Sequence, residues 1–297
     1  MAKQNPEHVV LYATQGTIAT ITLNRPEKFN TLRQDMLAAL DDALTKANRD
    51  PAIKVIVLEG AGDAFCGGFD FGGDGYGSMA QDQRDPGMDM LFVSSSYTSY
   101  MTTFMGLWRG LKPTIAKVHG YCVGGGSELA LCADLVLASE CARFGTPYSR
   151  VWGCHLSGMW IQRLGLAKAK YYALTGEWIS GADAAAIELI NFAYPLEQLD
   201  DEVDQLAQRL ASIPMTQLAA MKLIVNQSYD NQGLQTTQTL GPILDGIMRF
   251  TPEGVAFVDE ARSQGVRSVI EKRDGPFGDY SQAPKAEQPR RRSELPS

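Results

Sequence analysis

The chain has 297 residues, 44% of them apolar and 21% charged, with a formal net charge of −7 and a pI near 5.1. That length fits one large domain or a domain with an appendage, and the acidic balance argues against nucleic acid as the main partner while leaving room for a phosphorylated ligand held by a local basic patch. No apolar run reaches the roughly 18 residues of a membrane span; Met1–Val10 lacks the apolar core of a signal peptide; and the cysteines at 66, 122, 132, 141 and 154, odd in number and without Cys-x-x-Cys, read as reduced thiols of a cytoplasmic protein.

In chain order, Val9–Leu11 and Thr17–Leu23 are rich in β-branched residues and predict a hairpin of strands. Thr31 opens a helix to about Asn48 with Met36, Leu37, Leu40 and Leu44 on one face. Ile53–Glu59 predicts a buried strand. A glycine-rich stretch, Gly60–Gly77, leads into a polar segment, Ser78–Gly87, expected as a mobile loop, with 72–92 a candidate lid. Met88–Arg109 predicts a helix, and Thr114–Val118 and Leu135–Ala138 two further buried strands. From Ser157 helical patterns dominate: Ser157–Leu164, Ala167–Thr175, Ala182–Glu188, Asp201–Ile213, Pro214–Ser228 and Glu253–Gly265. Strands alternating with helices, then a helical tail, predict α/β architecture with C-terminal helices. The expected division is a core over 1–200, a helical region over 201–280 and a disordered tail over 281–297, which carries three prolines and Arg290-Arg291-Arg292.

Two segments carry the chemistry. The run Gly124-Gly125-Gly126-Ser127-Glu128 follows the strand at 114–118 and opens a helix with a carboxylate one turn in. Glycines let a ligand approach the backbone closely, and N–H groups at a helix start favour negative charge. Such a turn suits a developing oxyanion, with Glu128 handling a proton. The plainer reading of Glu128 is a carboxylate that complements the helix dipole. The run Ala64-Phe65-Cys66-Gly67-Gly68-Phe69-Asp70 follows the strand at 53–59. Both turns thus stand at strand ends, where open α/β sheets bind ligands. A serine hydrolase is weighed and set aside: Gly125-Gly126-Ser127-Glu128-Leu129 lacks the last glycine of a nucleophile elbow. Neither a Walker sequence nor Gly-x-Gly-x-x-Gly is present.

Over roughly residues 9–272 the chain resembles the crotonase (enoyl-CoA hydratase/isomerase) superfamily. The matching marks run in order: Ile21-Thr22-Leu23-Asn24-Arg25-Pro26 with Asn30, Ala64–Asp70, Lys112-Pro113-Thr114-Ile115-Ala116, Gly120-Tyr121, Gly124–Ala130, Cys132-Ala133-Asp134, Phe144-Gly145, Gln162-Arg163-Leu164 and Leu174-Thr175-Gly176. The resemblance implies a spiral of ββα units, a C-terminal helical trimerisation region and a homotrimer or dimer of trimers. It implies an acyl-CoA thioester substrate, with coenzyme A part of that substrate and no separate cofactor or metal. It also implies oxyanion N–H groups from Gly67 and Gly125, Glu128 as general base, Gly124 beside the substrate, and the adenine end of CoA near Lys28, Phe29, Phe69, Asp70 and Phe71.

The chain departs from that pattern at one decisive place. Family hydratases carry a second glutamate in Phe-Gly-x-Pro-Glu, whereas here the sequence reads Phe144-Gly145-Thr146-Pro147-Tyr148. A phenol near pKa 10 is a poor proton exchanger near neutrality, so Tyr148 is either catalytic in another way or a packed aromatic. The following Val151–Trp160 segment also diverges; His155 is a candidate base or binding residue, and Trp152, Met159 and Trp160 point to a bulky apolar acyl group. Hydration with one glutamate, isomerisation, C–C bond hydrolysis, decarboxylation of a β-keto or malonyl-type thioester, and acyl-CoA binding without chemistry all stay open.

Overall fold

The computed structural model describes residues 8–71, 85–94 and 100–278. Most of the segment expected as a mobile loop, residues 72–84 of the candidate lid 72–92, and the 281–297 tail lie outside the described residues. Strands β1 (Val10–Gln15) and β2 (Ile18–Leu23) form the expected antiparallel hairpin. Helix α1 (Gln34–Arg49) buries Met36, Leu37, Leu40, Ala43, Leu44 and Ala47 along one stripe. It starts later than Thr31 because Leu32 is held extended in a parallel bridge to Phe69. It stops at Asp50, whose backbone is extended as expected before Pro51.

Strand β3 (Val55–Gly60) follows, then α2 (Pro86–Ser94) and α3 (Tyr100–Arg109), both in the stretch where the sequence predicts a helix, with residues 95–99 outside the described residues. Next come β4 (Thr114–Val118), β5 (Tyr121–Val123), α4 (Gly125–Leu131), β6 (Leu135–Ser139) and β7 (Arg143–Gly145). Then follow α5 (Met159–Arg163), α6 (Leu166–Thr175), β8 (Ile179–Ser180), α7 (Gly181–Ala186) and β9 (Phe192–Tyr194). The chain finishes in helices: α8 (Leu196–Ala211), α9 (Met215–Asn231), α10 (Leu234–Arg249), α11 (Pro252–Gln264) and α12 (Val266–Asp274).

The larger sheet has the order β1-β2-β3-β4-β6-β9 and is parallel except for the β1 edge. Alternation along its strands feeds two cores. Ile21, Leu23, Ile56, Leu58, Ala116 and Val118 face the main core under α1, while Ile18, Val55, Val57, Ile115 and Leu137 face α8. Helix α8 answers with Leu199, Val203 and Ala207, spaced four apart and all buried. A division at residue 200 therefore falls inside a helix that closes the sheet. A second sheet, β5-β7-β8, carries the glycine turn.

Candidate active site

The site is built on an extended strip, residues 64–70, lying between two others. On one edge Gly67 N–H donates to Phe29 O at 2.8 Å, Leu32 N–H to Gly68 O at 2.8 Å and Asp70 N–H to Leu32 O at 3.0 Å. On the other, Cys66 N–H donates to Tyr121 O at 2.9 Å and Val123 N–H to Cys66 O at 3.0 Å. In the parallel bridge between Leu32 and Phe69 the flanking groups of Gly68 and Asp70 make the bonds. The N–H of Phe69 is thereby turned to the opposite edge, where β5 runs out into Gly124 and Gly125. The strip is anchored by Asn30, fully buried at φ 54°, which accepts from Arg25 N at 2.7 Å and donates to Ala61 O and Ala64 O at 2.8 Å each.

This register corrects one expectation. The N–H of Gly67 is already bonded to Phe29 O and is not directed at a ligand. Gly68 N–H and Gly125 N–H have no acceptor among the described residues, the latter because it opens α4. Gly68 at φ 109° and Gly124 at φ 53° need the freedom of glycine. Their turns abut: a Cβ on Gly68 would stand 3.0 Å from Val123 O and 3.9 Å from Gly125 N. Gly125 N–H and Gly68 N–H, not Gly67 N–H, are therefore the unbonded amides where the two turns meet.

Glu128 is fully buried in the first turn of α4. Its Oε2 accepts from Ser157 N–H at 2.9 Å and from the Ser157 hydroxyl. Its Oε1 has longer contacts, 3.2 Å to His155 Nδ1 and 3.3 Å to Leu156 N. The structure brings Glu128 and His155 together, and Tyr148 stands edge-on to the His155 ring with centroids 5.7 Å apart. The Tyr148 hydroxyl is buried without a hydrogen-bond partner among the described residues, over the Gly124 turn. Burial, then the negative charges of Glu128 and Asp245, hold its pKa well above the ordinary phenol value, so it is a neutral donor. Ser127, raised as a nucleophile, donates to Gly124 O at 2.9 Å and accepts from Trp160 Nε1 at 3.0 Å, fully buried in the base of α4.

Two adjoining cavities meet at Gly67, Phe69 and Phe71. The larger, about 630 Å³, is lined by Lys28, Phe29, Phe69, Asp70 and Phe71, the residues expected at the CoA end, with Arg267, Ile270 and Arg273 of α12 opposite. Asp70 is also paired with Arg25 at 2.8 Å. The smaller, about 70 Å³, is lined by Gly124, Gly125, Tyr148 and Trp152, with Phe71, Phe257 and Asp245. Trp152 meets Phe71 edge-to-face at 5.8 Å, and Phe71 meets Phe257 at 5.7 Å. Met159, Trp160, His155 and Glu128 are not on its wall. Sequence reading missed Ser157, the donor that fixes Glu128, and Asp245, whose helix has a pattern broken by Gly241, Pro242 and Gly246. A polar residue at an interior helix position was the available signal for Asp245.

The architecture is the α/β crotonase fold, ββα units followed by C-terminal helices. The family model described as Enoyl-CoA hydratase/isomerase matches residues 13–279, and the chain belongs to that family. An enoyl-CoA hydratase structure from Mycobacterium smegmatis superposes with a TM-score of 0.85 at 38% identity, covering 94% of this chain and 97% of that one. A sequence described as a probable enoyl-CoA hydratase of Rhizobium meliloti is 31% identical over 278 residues, 90% of this chain and 97% of its own length. The mitochondrial enoyl-CoA hydratase of Pongo abelii is 30% identical over 271 residues, 89% of this chain and 84% of its own.

Proposed function

We propose that the protein is an acyl-CoA-transforming enzyme of the enoyl-CoA hydratase type, a lyase that runs through a thioester enolate. The observation that carries this reading is the abutment of two glycine turns at the junction of a CoA-sized groove and a small aromatic cavity. The thioester oxygen accepts from Gly125 N–H and from the Gly68–Phe69 stretch, which stabilises the charge that develops there. Oε2 of Glu128 is held by Ser157, so Oε1, with its longer contacts, is the atom that exchanges protons. Glu128 acts as the base that activates or orients water at the β-carbon. His155 keeps the carboxylate in place, and Tyr148 donates to the substrate as a neutral hydroxyl. Lys28, Phe29 and Asp70 border the nucleotide end of CoA, and Trp152 and Gly124 border the acyl end.

Exposed Met221, Leu223, Ile224 and Val225 on α9 and Leu240 and Ile247 on α10 support a homotrimer or dimer of trimers. Sedimentation showing only monomers at micromolar concentration would refute that assembly. Five free cysteines support a reducing, cytoplasmic setting, and no helix among the described residues is long and apolar enough to cross a membrane.

Incubation with trans-2-enoyl-CoA thioesters of several chain lengths, followed by loss of the enoyl absorbance, tests the reading. The expected result is rapid loss that Glu128→Gln abolishes. No loss at any length rejects hydration and turns the search to β-keto or malonyl-type thioesters, where a C–C bond breaks. Binding of thioesters without turnover of any of them would mark a non-catalytic homologue.

A further inference from the structure

We infer that Asp245 is a catalytic residue: the carboxylate that exchanges the proton at the thioester α-carbon, delivered from α10 in place of the carboxyl that position 148 lacks. This rests on the enolate reading above. Among the described residues lining the smaller cavity, Asp245 is the only carboxylate, and it shares that wall with Gly68, Gly124, Gly125 and Tyr148. Glu128 is fully buried, with residues 155–157 supplying the donors to both its oxygens, and it is not on that wall. The two carboxylates stand on different elements, Glu128 on α4 and Asp245 on α10.

Three further observations fit this role. Asp245 is 5% exposed and Arg249, one turn along the same helix, places Nε 3.3 Å from its Oδ2. The ion pair holds a carboxylate on a wall that also carries Phe71, Trp152, Phe257 and Arg273. Asp245 lines the cavity together with Gly124 and Tyr148, and its charge helps push the Tyr148 phenol and the Cys154 thiol upward. Finally, Gly246 leaves the outer face of α10 open to α2: a Cβ there would stand 2.8 Å from Met90 Cγ. Helix α2 thus covers the helix that carries Asp245 and limits water at its back.

The step balances without any added reagent. The α-carbon C–H bond breaks and its electron pair enters the enolate, whose oxygen is held by the backbone N–H groups. The proton passes to an Asp245 carboxylate oxygen. Return of a proton from that carboxyl to the α-carbon restores the thioester and the carboxylate. In hydration Asp245 starts protonated: Glu128 takes a proton from the water that adds at the β-carbon, the Asp245 carboxyl gives its proton to the α-carbon, and exchange with solvent then removes the proton from Glu128 and restores that of Asp245. A purely structural Asp245–Arg249 pair would influence stability but not this exchange.

The test follows deuterium entering the α-position of butanoyl-CoA and hexanoyl-CoA in D2O, by mass spectrometry, with the full-length protein. Wild type is expected to exchange, Asp245→Asn to lose about 100-fold or more in rate, and Asp245→Glu to recover most of it. Calorimetric titration of butanoyl-CoA should give a Kd for Asp245→Asn within about threefold of wild type, a shift of about 0.7 kcal/mol or less, which separates lost chemistry from lost folding or binding. If Asp245→Asn does not fold, Asp245→Glu decides: a folded Glu variant that binds butanoyl-CoA yet does not exchange overturns the proposal. Exchange by Asp245→Asn at the wild-type rate overturns it while leaving the enolate reading intact. Wild type that binds these thioesters but exchanges no α-proton overturns the enolate reading and this one with it.

Discussion

Asn30 and Gly125 act on the same site through different physics. Asn30 fixes the strip by satisfying three backbone groups from a left-handed conformation that asparagine tolerates. Asn30→Ala leaves those buried groups without partners, and we expect about 3 kcal/mol of lost stability, read as a lower urea midpoint. Gly125 has a local role. A Cβ there would stand 2.8 Å from Cε2 and Cζ of the Phe69 ring, a side chain that can move. Gly125→Ala should therefore change the thermal midpoint by only a few degrees and lower kcat by about 10²-fold or more, because the Gly125 amide is displaced from the oxyanion. A variant that unfolds with normal turnover in its residual native fraction would refute that division. The glycine runs and Glu128 stand out in the sequence because their chemistry is local. The failure of Gly67 to present its N–H is a matter of register, decided by which edge of the 64–70 strip meets Phe29.

At the scale of elements, helix α9 is tied by buried polar contacts to α3 and to the turns that lead into β4 and β6. Lys222 on α9 donates to Leu107 O at 2.7 Å and Lys112 O at 3.0 Å and pairs with Asp134 at 2.8 Å. Burial lowers the Lys222 pKa and raises that of Asp134, so desolvation outweighs their attraction and neither tolerates loss of the other. Asn226, one turn on, donates to Trp108 O at 2.7 Å. Lys222→Met should cost about 3 kcal/mol in chemical denaturation, and the double variant Lys222→Met, Asp134→Asn should recover part of it; equal loss in both would sink the argument. Helices α1, α8 and α9 were readable because their apolar stripes or proline starts are unbroken. Helix α10 was not, since Gly241, Pro242, Asp245 and Gly246 face packed neighbours instead of making a stripe. The short strands β5, β7, β8 and β9 have too few residues to show a period.

Across the whole molecule, burial of acidic groups sets the alkaline limit. Burial pushes the Cys66 thiol and the Tyr172 phenol each up to about 12, and raises Cys122 and Tyr148 as well. In the unfolded chain thiols titrate near about 8.5 and phenols near about 10. A group with a raised folded pKa contributes stability that is complete below its unfolded pKa and lost as pH rises through the folded value. These groups should leave stability flat between about pH 6 and 8 and lower it steeply from about pH 9 to 12, each by about 1.4 kcal/mol per pH unit across its window. Cys66→Ala should make that fall shallower; an unchanged slope in urea titrations would count against it.

The sequence by itself determined the alternation of strands and helices, the family, the two glycine turns and the absence of a carboxyl at 148, because each is written in contiguous residues whose chemistry is local. Only the tertiary structure decided which amides of the glycine turns are left unbonded, which oxygen of Glu128 Ser157 holds, and which carboxylate lines the cavity. Gly68, Gly125, Ser157 and Asp245 come from four separate stretches of chain. Their meeting depends on strand register, on Asn30 fixing the strip, and on helices α10 and α12 folding back over the glycine turns. Such contacts between distant segments have no periodicity of their own, so no pattern along the chain announces them.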